Sequence, residues 1–518
     1  MCCIAQLPKD TLQVLIVFFI SLLYKKSKQQ VMFMNKEKQP LFSSYDENVE
    51  YMKDRLAVDK SFDVINLDLE YAGRKMAMFM IDGFAKDEIM HFIMKLLAKL
   101  EPEQLEPDPL TKLFKTYIPY IEIGKQTDLI KASDQVLAGP VALLVEGTDA
   151  ILMIDARTYP VRSPAEPDLE RVVRGSRDGY VETIVFNTAL TRRRVRDRSL
   201  RMEYIQVGRR SETDVCLCYL EDIAEPDRVA ELKDVLKRID TDGLPMAEKT
   251  IEEFISGRHW NPYPTVRYTE RPDTAAAHIY EGHVLIIIDG SPSVMITPAT
   301  YWHHLQHAEE YRQKPLVGAY LRLVRFIAVM VSIFILPLYY LFSTNPELLP
   351  QGLHFIGPAE AGLIPLIVQF LIAEIGIDVL RMAAIHTPTS LATALGLVAA
   401  ILIGQVAVEV GLFSNEVVLY LSVAAIGTFA TPSYELSLAN RIVRIMLLVV
   451  TASFGVIGYV AGITFWILYL TRMTSYNTAY FWPFMPFSFR AFRDILIRSP
   501  IPLKNRRPAF LHPQDPDR

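Results

Sequence analysis

The sequence predicts a mixed fold: a soluble α/β (α+β) head in two subdomains, followed by an all-α domain that crosses a membrane several times. Long apolar runs are confined to the last third of the chain, whereas most of the charged residues lie before them. A helix needs about 20 mainly apolar residues to span roughly 30 Å of hydrocarbon. The formal net charge of −5 over 518 residues shows no basic excess, so we predict no binding of nucleic acid.

Changes in composition divide the chain into five segments. They are an N-terminal extension (1–40), a first cytoplasmic subdomain (41–158), a second cytoplasmic subdomain (159–315), a transmembrane domain (316–475) and a basic cytoplasmic tail (476–518). The extension holds one apolar run, Val14–Leu23, which is too short to span a bilayer. Because Lys25 and Lys26 follow that run, it does not resemble a secretory signal. We therefore expect natural translation to begin near Met32 or Met34.

The first subdomain is predicted from strand signals and an amphipathic helix. Apolar residues recur at helical spacing through Asp87–Leu100, and Pro102 closes the pattern. Two apolar runs, Val141–Val145 and Ala150–Ile154, flank an acidic turn that contains Gly147, which predicts a β-hairpin. The remaining predicted elements are a polar helix at Tyr45–Leu56 and strands at Val64–Leu69 and Lys75–Ile81.

A proline-rich linker leads into the second subdomain, which again mixes strands and helices. Its elements are a helix within Leu169–Leu190, strands at Arg201–Val207 and Asp214–Leu220, an amphipathic helix at Asp227–Ile239 and an apolar strand at His283–Ile288. Their mixed order favours α/β or α+β layers. Cys216 and Cys218 fall inside an apolar strand, so we interpret them as core cysteines.

The head carries no recognisable catalytic signature. It has no Gly-rich phosphate loop, no HExxH and no GxSxG motif. His303 and His307 stand four residues apart on an expected helix, a spacing that occurs in metal sites, but no third ligand follows at a supporting spacing. We therefore predict that the protein is not an enzyme and binds neither a cofactor nor a metal.

The most basic feature of the head is the run Arg192, Arg193 and Arg194. One interpretation is binding to anionic lipid, because polybasic segments near a membrane gain about 1 kcal/mol per charge. A second is contact with acidic residues of a neighbouring subunit, and a third is a solvated helix face with local acidic partners. We keep the three arginines as candidate gating or subunit-contact residues.

Five apolar runs make up the predicted transmembrane domain. They are Leu323–Phe342, Leu363–Ile377, Leu391–Phe413, Val417–Ala430 and Ile445–Leu470. Basic residues flank this domain on both sides, so the positive-inside rule places both ends in the cytoplasm and requires an even number of crossings. We expect Leu363–Ile377 to be re-entrant or interfacial, because it is short and follows several prolines. The alternative is that Ile445–Leu470, interrupted by Gly455, is the irregular element.

Polar side chains within the apolar runs are the candidate functional residues, because burial in lipid is costly for them. Glu374 and Asp378 share a helix face, and Arg381 is placed to pair with Asp378. Gln405 and Glu409 share a face further along. A ring of acidic or amide groups from several copies favours cations in a pore. We therefore predict that Glu374, Gln405 and Glu409 line a pore, and that Asp378 and Arg381 act in gating or subunit contact. The alternative is packing, with a hydrogen bond between helices at Gln405.

A series of separated motifs resembles a known family. The motifs are Arg174–Glu182 (RGSRDGYVE), Asn187, Arg192–Arg194, Gly208–Ser211, Thr269–Asp273, Asp289–Pro292 and Ile403–Val408 (IGQVAV). They resemble the A subunits of GerA-type spore germination receptors, over about residues 41–489. The segments Phe42–Asn48 and Met382–Pro388 are more similar to the stage V sporulation protein AF branch of that family.

The resemblance implies an integral protein of the spore inner membrane with both termini on the spore-core side. It also implies a homo-oligomeric ring in the lipid bilayer that conducts ions early in germination, with a small membrane protein or germination receptor subunits as partners. The expected function is thus a cation channel subunit that promotes ion release. The alternative is a non-conducting scaffold or regulator of a germination receptor or of a dipicolinic acid transport complex.

Overall fold

The computed structural model describes residues 38–118, 122–157, 170–257, 260–350, 363–386 and 404–518, together with residues 167, 352 and 396. The interpretation of residues 1–40 as an extension therefore falls almost wholly outside the described residues. So does the first part of the predicted run at 391–413. The described head contains two five-stranded sheets, and helices follow it.

The first sheet is antiparallel throughout, with strand order β1-β2-β4-β5-β3. Its strands are β1 (Val64–Tyr71), β2 (Arg74–Ile81), β3 (Ile123–Gln126), β4 (Val141–Val145) and β5 (Ile151–Ile154). The predicted hairpin is confirmed, because β4 and β5 pair directly. The helices of this part are α1 (Tyr45–Leu56), α2 (Asp87–Leu97) and α3 (Leu129–Leu137).

The second sheet has the order β6-β7-β9-β10-β8 and is also antiparallel. Its strands are β6 (Leu200–Val207), β7 (Thr213–Leu220), β8 (Arg267–Thr269), β9 (Val284–Ile288) and β10 (Val294–Thr297). The helices here are α4 (Ile184–Arg194), α5 (Pro226–Arg238), α6 (Ala247–Ser256) and α7 (Pro272–Glu281). The helix expected within Leu169–Leu190 thus begins only at Ile184, and the three-arginine run forms its last turn.

The two subdomains of the head have the same topology. Renumbering the second sheet from one gives the strand order of the first. In each subdomain a helix precedes the first strand, helix follows the second strand, and one helix joins the third strand to the fourth. Each sheet buries apolar side chains on both faces, as a sheet covered by helices on both sides must. Cys216 and Cys218 are fully buried on one face of the second sheet.

Within the described residues, four longer helices and an amphipathic tail helix follow the head. They are α8 (Pro315–Thr344), α9 (Leu366–His386), α10 (Asn415–Phe429), α11 (Tyr434–Arg472) and α12 (Phe489–Leu496). Among the described helices, α8 and α11 are long and apolar enough to cross a membrane. Shorter helices and strands lie between the labelled elements, including Pro102–Leu105, Pro109–Lys112, Ala308–Arg312, Ala407–Glu409, Thr474–Ser475 and Thr478–Ala479.

The expectation that Leu363–Ile377 is re-entrant or interfacial stays a prediction, because a continuous helix can either cross a bilayer or lie at its surface. The segment belongs to α9, a continuous helix of 21 residues, which rises about 31 Å at 1.5 Å per residue. The irregular element is α11, as in the alternative interpretation. Gly455 has φ 56° and ψ −134° within it, a conformation that is essentially restricted to glycine.

Helix α11 is in fact an antiparallel helical hairpin that turns at Gly455. The hydroxyl of Tyr263 lies 3.3 Å from Asn440 Oδ1 and 2.6 Å from Trp466 Nε1. In a straight helix those two residues would be about 39 Å apart, so the arms before and after Gly455 must lie side by side. Gly458 and Gly462 permit this approach, because a Cβ on either would meet the facing arm within 3 Å.

Contacts of the helices with one another and with the head show which helix ends lie together. Helix α8 starts at the head, and its other end stacks Tyr339 against Tyr420 of α10, with ring centroids 4.2 Å apart. Both ends of α11 lie at the head, where Asn440 and Trp466 reach Tyr263. The tail then packs on the head, since Arg228 Nη1 donates to the carbonyl of Leu511 at 3.1 Å. The chain therefore enters and leaves the bundle at the same end.

Candidate functional site

The predicted arginine cluster of the head separates into three different environments. Arg192 is 1% exposed and makes a bidentate pair with Asp63, with Nε–Oδ2 at 2.8 Å and Nη2–Oδ1 at 3.0 Å. Arg194 pairs with Asp178 at 2.6 Å, and Arg193 is exposed. Arg192 and Asp63 come from different subdomains, so this pair holds the two repeats of the head together.

The bundle contains a buried ion-pair network centred on Glu374, which is 1% exposed. Arg444 makes a bidentate pair with this carboxylate, with Nε–Oε1 at 2.7 Å and Nη2–Oε2 at 3.0 Å. Its remaining nitrogen donates to the carbonyl of Ser332 at 2.8 Å and to Thr428 Oγ1 at 3.1 Å. One guanidinium thereby connects α8, α9, α10 and α11.

A second arginine of α11, Arg441, completes the network. Its Nη2 lies 3.0 Å from Glu374 Oε2, and its Nη1 pairs with Asp378. Glu374 and Asp378 are one turn apart on α9, and Arg441 and Arg444 are three residues apart on α11, so the two faces match. Two cations balance two anions, which keeps the charges in an apolar bundle neutral overall.

Arg381 does not make the ion pair that was predicted with Asp378. Its guanidinium lies over the rings of Phe429 and Tyr434, at 5.6 and 5.9 Å from their centroids. Asp378 pairs with Arg441 instead. Arg381 and Arg441 therefore lie at the same end of the bundle.

Gln405 and Glu409 are placed differently from Glu374. Both are exposed on the outside of the bundle, next to Ala407, which is buried against the other helices. Neither has a hydrogen-bond or ion-pair partner within the described part of the chain. The structure thus leaves two of the predicted pore residues on an outer face and encloses the third in the ion-pair network.

A cavity of about 900 Å³ lies where the head meets the bundle, beside Arg381. Carboxylates from both parts line it: Glu170, Glu248 and Glu270 from the head and Glu435 from α11. Lys249, Arg267 and Arg381 supply the positive charges. This cavity was not predicted, because its walls come from segments that are far apart in the chain.

His278, His283, His303 and His304 of the head are buried, and His303 and His307 do not share one helix. His303 lies in a short 3-10 turn and His307 precedes the next helix, so the expected spacing on one helix is wrong. His278, His283 and His303 instead pack their rings 5.0 to 6.1 Å apart. No group of three His, Cys, Asp or Glu side chains in the described ranges is arranged to hold a metal ion.

We expect the head to lose stability as the pH falls from about 6.5 towards 4. Burial lowers the pKa of His278 from 6.5 to about 4 and the pKa values of His283 and His303 well below 6.5. The unfolded chain therefore binds more protons than the folded chain in this pH range. The free energy of unfolding falls as a result, by up to about 1.4 kcal/mol per pH unit for each histidine. Thermal unfolding of the purified protein between pH 7.5 and 5 measures this slope.

The variant His283→Leu should reduce that pH slope, because neither ring nitrogen of His283 has a hydrogen-bond partner and the neutral ring is already buried. His91 is exposed, so His91→Gln is the matched control and should leave the slope unchanged. Equal slopes in the wild type and in His283→Leu would show that His283 does not contribute to the pH dependence of stability.

Comparisons with known proteins agree on one family. The family described as "Bacillus/Clostridium GerA spore germination protein" matches residues 50–510. The chain is 48% identical over 479 residues to stage V sporulation protein AF of Bacillus subtilis (strain 168), covering 92% of this chain and 97% of that protein. It is 29% identical over 438 residues to YfkQ of the same strain, named an uncharacterized membrane protein, covering 83% and 84%.

One solved structure also resembles part of the chain. It is the crystal structure of the N-terminal domain of the A subunit of the Bacillus megaterium spore germinant receptor GerK3. The sequence identity is 23% and the TM-score is 0.41, and the match covers 51% of this chain and 99% of that chain.

Proposed function

This chain belongs to the GerA family of spore germination proteins, and from that premise we propose that several copies of it form a cation-conducting pore in the spore inner membrane. The match over residues 50–510 confirms the resemblance carried by the motifs. In this proposal the protein is integral to the membrane, has both termini on the spore-core side, and promotes ion release during germination.

The observation that carries the proposal is the exposure of Gln405 and Glu409 on the outside of the bundle. Inside the described bundle, the carboxylate of Glu374 is paired with two arginines and offers no free acceptor to a passing ion. An unpaired carboxylate that faces lipid is costly. A neighbouring copy that covers this face would convert Gln405 and Glu409 into part of a polar ring, the arrangement that favours cations in a pore.

The cavity beside Arg381 supports the same proposal at the head end of the bundle. It places the carboxylates of Glu170, Glu248 and Glu435 around a space of about 900 Å³. Four carboxylates line this cavity against three Lys or Arg side chains, and an excess of one sign of charge in a cleft favours counter-ions. In the proposed channel this cavity acts as a vestibule, and the contact of Arg381 with Phe429 and Tyr434 links the vestibule wall to α9.

The decisive experiment measures potassium efflux from liposomes that contain the purified full-length protein. We expect Gln405→Leu and Glu409→Gln to lower the efflux at least about tenfold, which corresponds to about 1.4 kcal/mol in the barrier. Thr464→Val is the matched control, because Thr464 is also exposed but its hydroxyl donates to its own helix at Val460. Size-exclusion profiles establish that all variants assemble equally.

An absence of efflux from the wild type would instead favour the scaffold function or a missing partner subunit. Efflux that is unchanged in Gln405→Leu and Glu409→Gln would remove these residues from the pore. The scaffold hypothesis relied on the arginine run of the head as a partner surface. Two of those arginines are engaged by Asp63 and Asp178 within the chain, so this surface gives that function little support.

A further inference from the structure

A second cavity, of about 250 Å³, lies where the C-terminal tail packs against the head and α8. Seven of its lining residues are Arg or Lys and two are Asp or Glu, although the whole chain carries a net charge of −5. The local excess of positive charge is therefore a property of this cavity and not of the protein as a whole. We refer to it as the tail cavity.

Two of the arginines that line the tail cavity are buried and have an unused donor. Arg322 is 1% exposed; its Nε donates to Glu310 at 2.7 Å and its Nη1 to the carbonyls of Asp494 and Ile495, both at 3.0 Å. Arg498 is 6% exposed, and its Nη2 donates to the carbonyl of Tyr311 at 2.7 Å. Arg322 Nη2 and Arg498 Nε have no partner.

These two guanidinium groups are held in fixed positions. Each lies over the ring of Tyr311, 5.5 Å from its centroid, and each is anchored by the hydrogen bonds of its other nitrogens. A buried, charged N–H without an acceptor is destabilising. An oxyanion in the cavity would satisfy both donors at once, and the planar fork of arginine matches the geometry of phosphate.

Five of the seven basic residues that line the tail cavity have an acidic partner, and Arg490 and Arg498 have none among the described residues. Glu281 is already paired with Lys504 at 2.6 Å and with Arg518 at 3.3 Å. Asp494 lies 3.3 Å from Arg493 and accepts from Ser499 Oγ at 3.0 Å. Arg490, which also lines the cavity, has no ion-pair partner among the described residues. Arg322 pairs with Glu310, Arg506 with Asp517 and Arg507 with Asp515, so Arg490 and Arg498 leave the cavity with a net positive charge.

Exposed apolar side chains lie close to the tail cavity along the chain. Phe487 and Phe489 are 66% and 71% exposed, and they flank the start of α12, which carries Arg490 and Arg493. At the head end of α8, Leu316 and Tyr320 are 82% and 65% exposed. This combination of basic and aromatic residues is typical of a segment that lies at a bilayer surface.

We propose that the tail cavity binds a phosphate group through Arg322 and Arg498. Its source is either the headgroup of an anionic phospholipid or free phosphate, and both present the same oxygens to the two guanidinium groups. The proposal is independent of ion conduction, since it rests on residues that the proposed pore does not use.

Thermal unfolding of the full-length protein in a neutral detergent tests the proposal. The probes are inorganic phosphate, with chloride at matched ionic strength as the reference, and mixed micelles containing phosphatidylglycerol or phosphatidylcholine. We expect phosphate, phosphatidylglycerol or both to raise the Tm, and phosphatidylcholine not to. The concentration that gives half of the Tm increase should rise about tenfold or more in Arg498→Gln, since a charged hydrogen bond is lost.

A second cavity variant, Arg490→Gln/Arg506→Gln, replaces Arg498→Gln if that variant fails to fold. It should fold because the side chain of Arg506 is 66% exposed and Arg490 is exposed. This variant should also weaken the response. Arg209→Gln/Arg210→Gln removes the same charge from an exposed site elsewhere on the head. This control variant should leave the increase in Tm unchanged.

The pattern of responses separates the two sources of phosphate. A Tm increase with inorganic phosphate that the cavity variants lose supports a soluble anion. An increase with phosphatidylglycerol alone, lost in the same variants, supports the lipid headgroup. The proposal is overturned if neither probe raises the Tm, or if phosphatidylglycerol stabilises the wild type and both cavity variants equally.

Discussion

Glu374→Gln should destabilise the helix bundle by about 3–5 kcal/mol, the cost of removing one partner from a buried ion pair. The substitution keeps the shape of the side chain but leaves Arg444 and Arg441 with one carboxylate, that of Asp378, between them. Arg444 would then hold a charge among four helices without a counter-ion. Thermal unfolding of the purified protein in detergent, together with the fraction that elutes as a single species, measures the loss.

Asp378→Asn is the matched control for that prediction. It removes the same charge from the same network, but the side chain of Asp378 is 39% exposed, so water can replace the carboxylate and the loss should be clearly smaller. The double variant Glu374→Gln/Arg444→Gln should be more stable than the sum of the single changes, because the two groups are in direct contact. Additive losses would show that the pair is not coupled.

Arg192→Gln should cost the head about 3–5 kcal/mol, because it leaves the carboxylate of Asp63 buried without its cation. Asp63 would retain only the hydroxyl of Ser61, at 2.8 Å, as a side-chain donor. Since the pair joins the two subdomains, we expect limited proteolysis to cut between them more readily, in addition to a lower unfolding temperature of the head.

The neighbouring substitution Arg193→Gln provides the control for this second prediction. Arg193 is exposed on the same helical turn, and an exposed charge contributes at most about 1 kcal/mol. Similar losses in the two variants would mean that the arginine run acts through its total charge. A large difference would mean that the bidentate contact with Asp63 is what matters.

Local sequence signals identified most of the head correctly. The hairpin at Val141–Val145 follows from two apolar runs around a short acidic turn, and the helix at Tyr45–Leu56 matches its predicted bounds. These elements depend on residues that are close in the chain, so periodicity and turn chemistry are sufficient to find them. The repeated strand order depends on pairing between distant strands, and no local pattern contains it.

Two residues of the bundle network were missed, although a signal for them was present. Arg441 and Arg444 stand three residues apart at the start of an apolar run, and Glu374 and Asp378 stand four apart in another. Opposite charges in neighbouring spans at matching spacing favour pairing. Asp378 was predicted to pair with Arg381 instead, so the complementarity of the two pairs was missed.

The sequence by itself determined the division into an α/β head and an apolar helical part, the family, and the set of polar residues that an apolar environment makes costly. The tertiary structure alone decided that Glu374 is neutralised inside the bundle while Gln405 and Glu409 face outwards, and that Arg192 is buried while Arg193 is exposed. The physical reason is that burial and charge pairing are set by contacts between residues far apart in sequence. Composition and periodicity report only on neighbours along the chain.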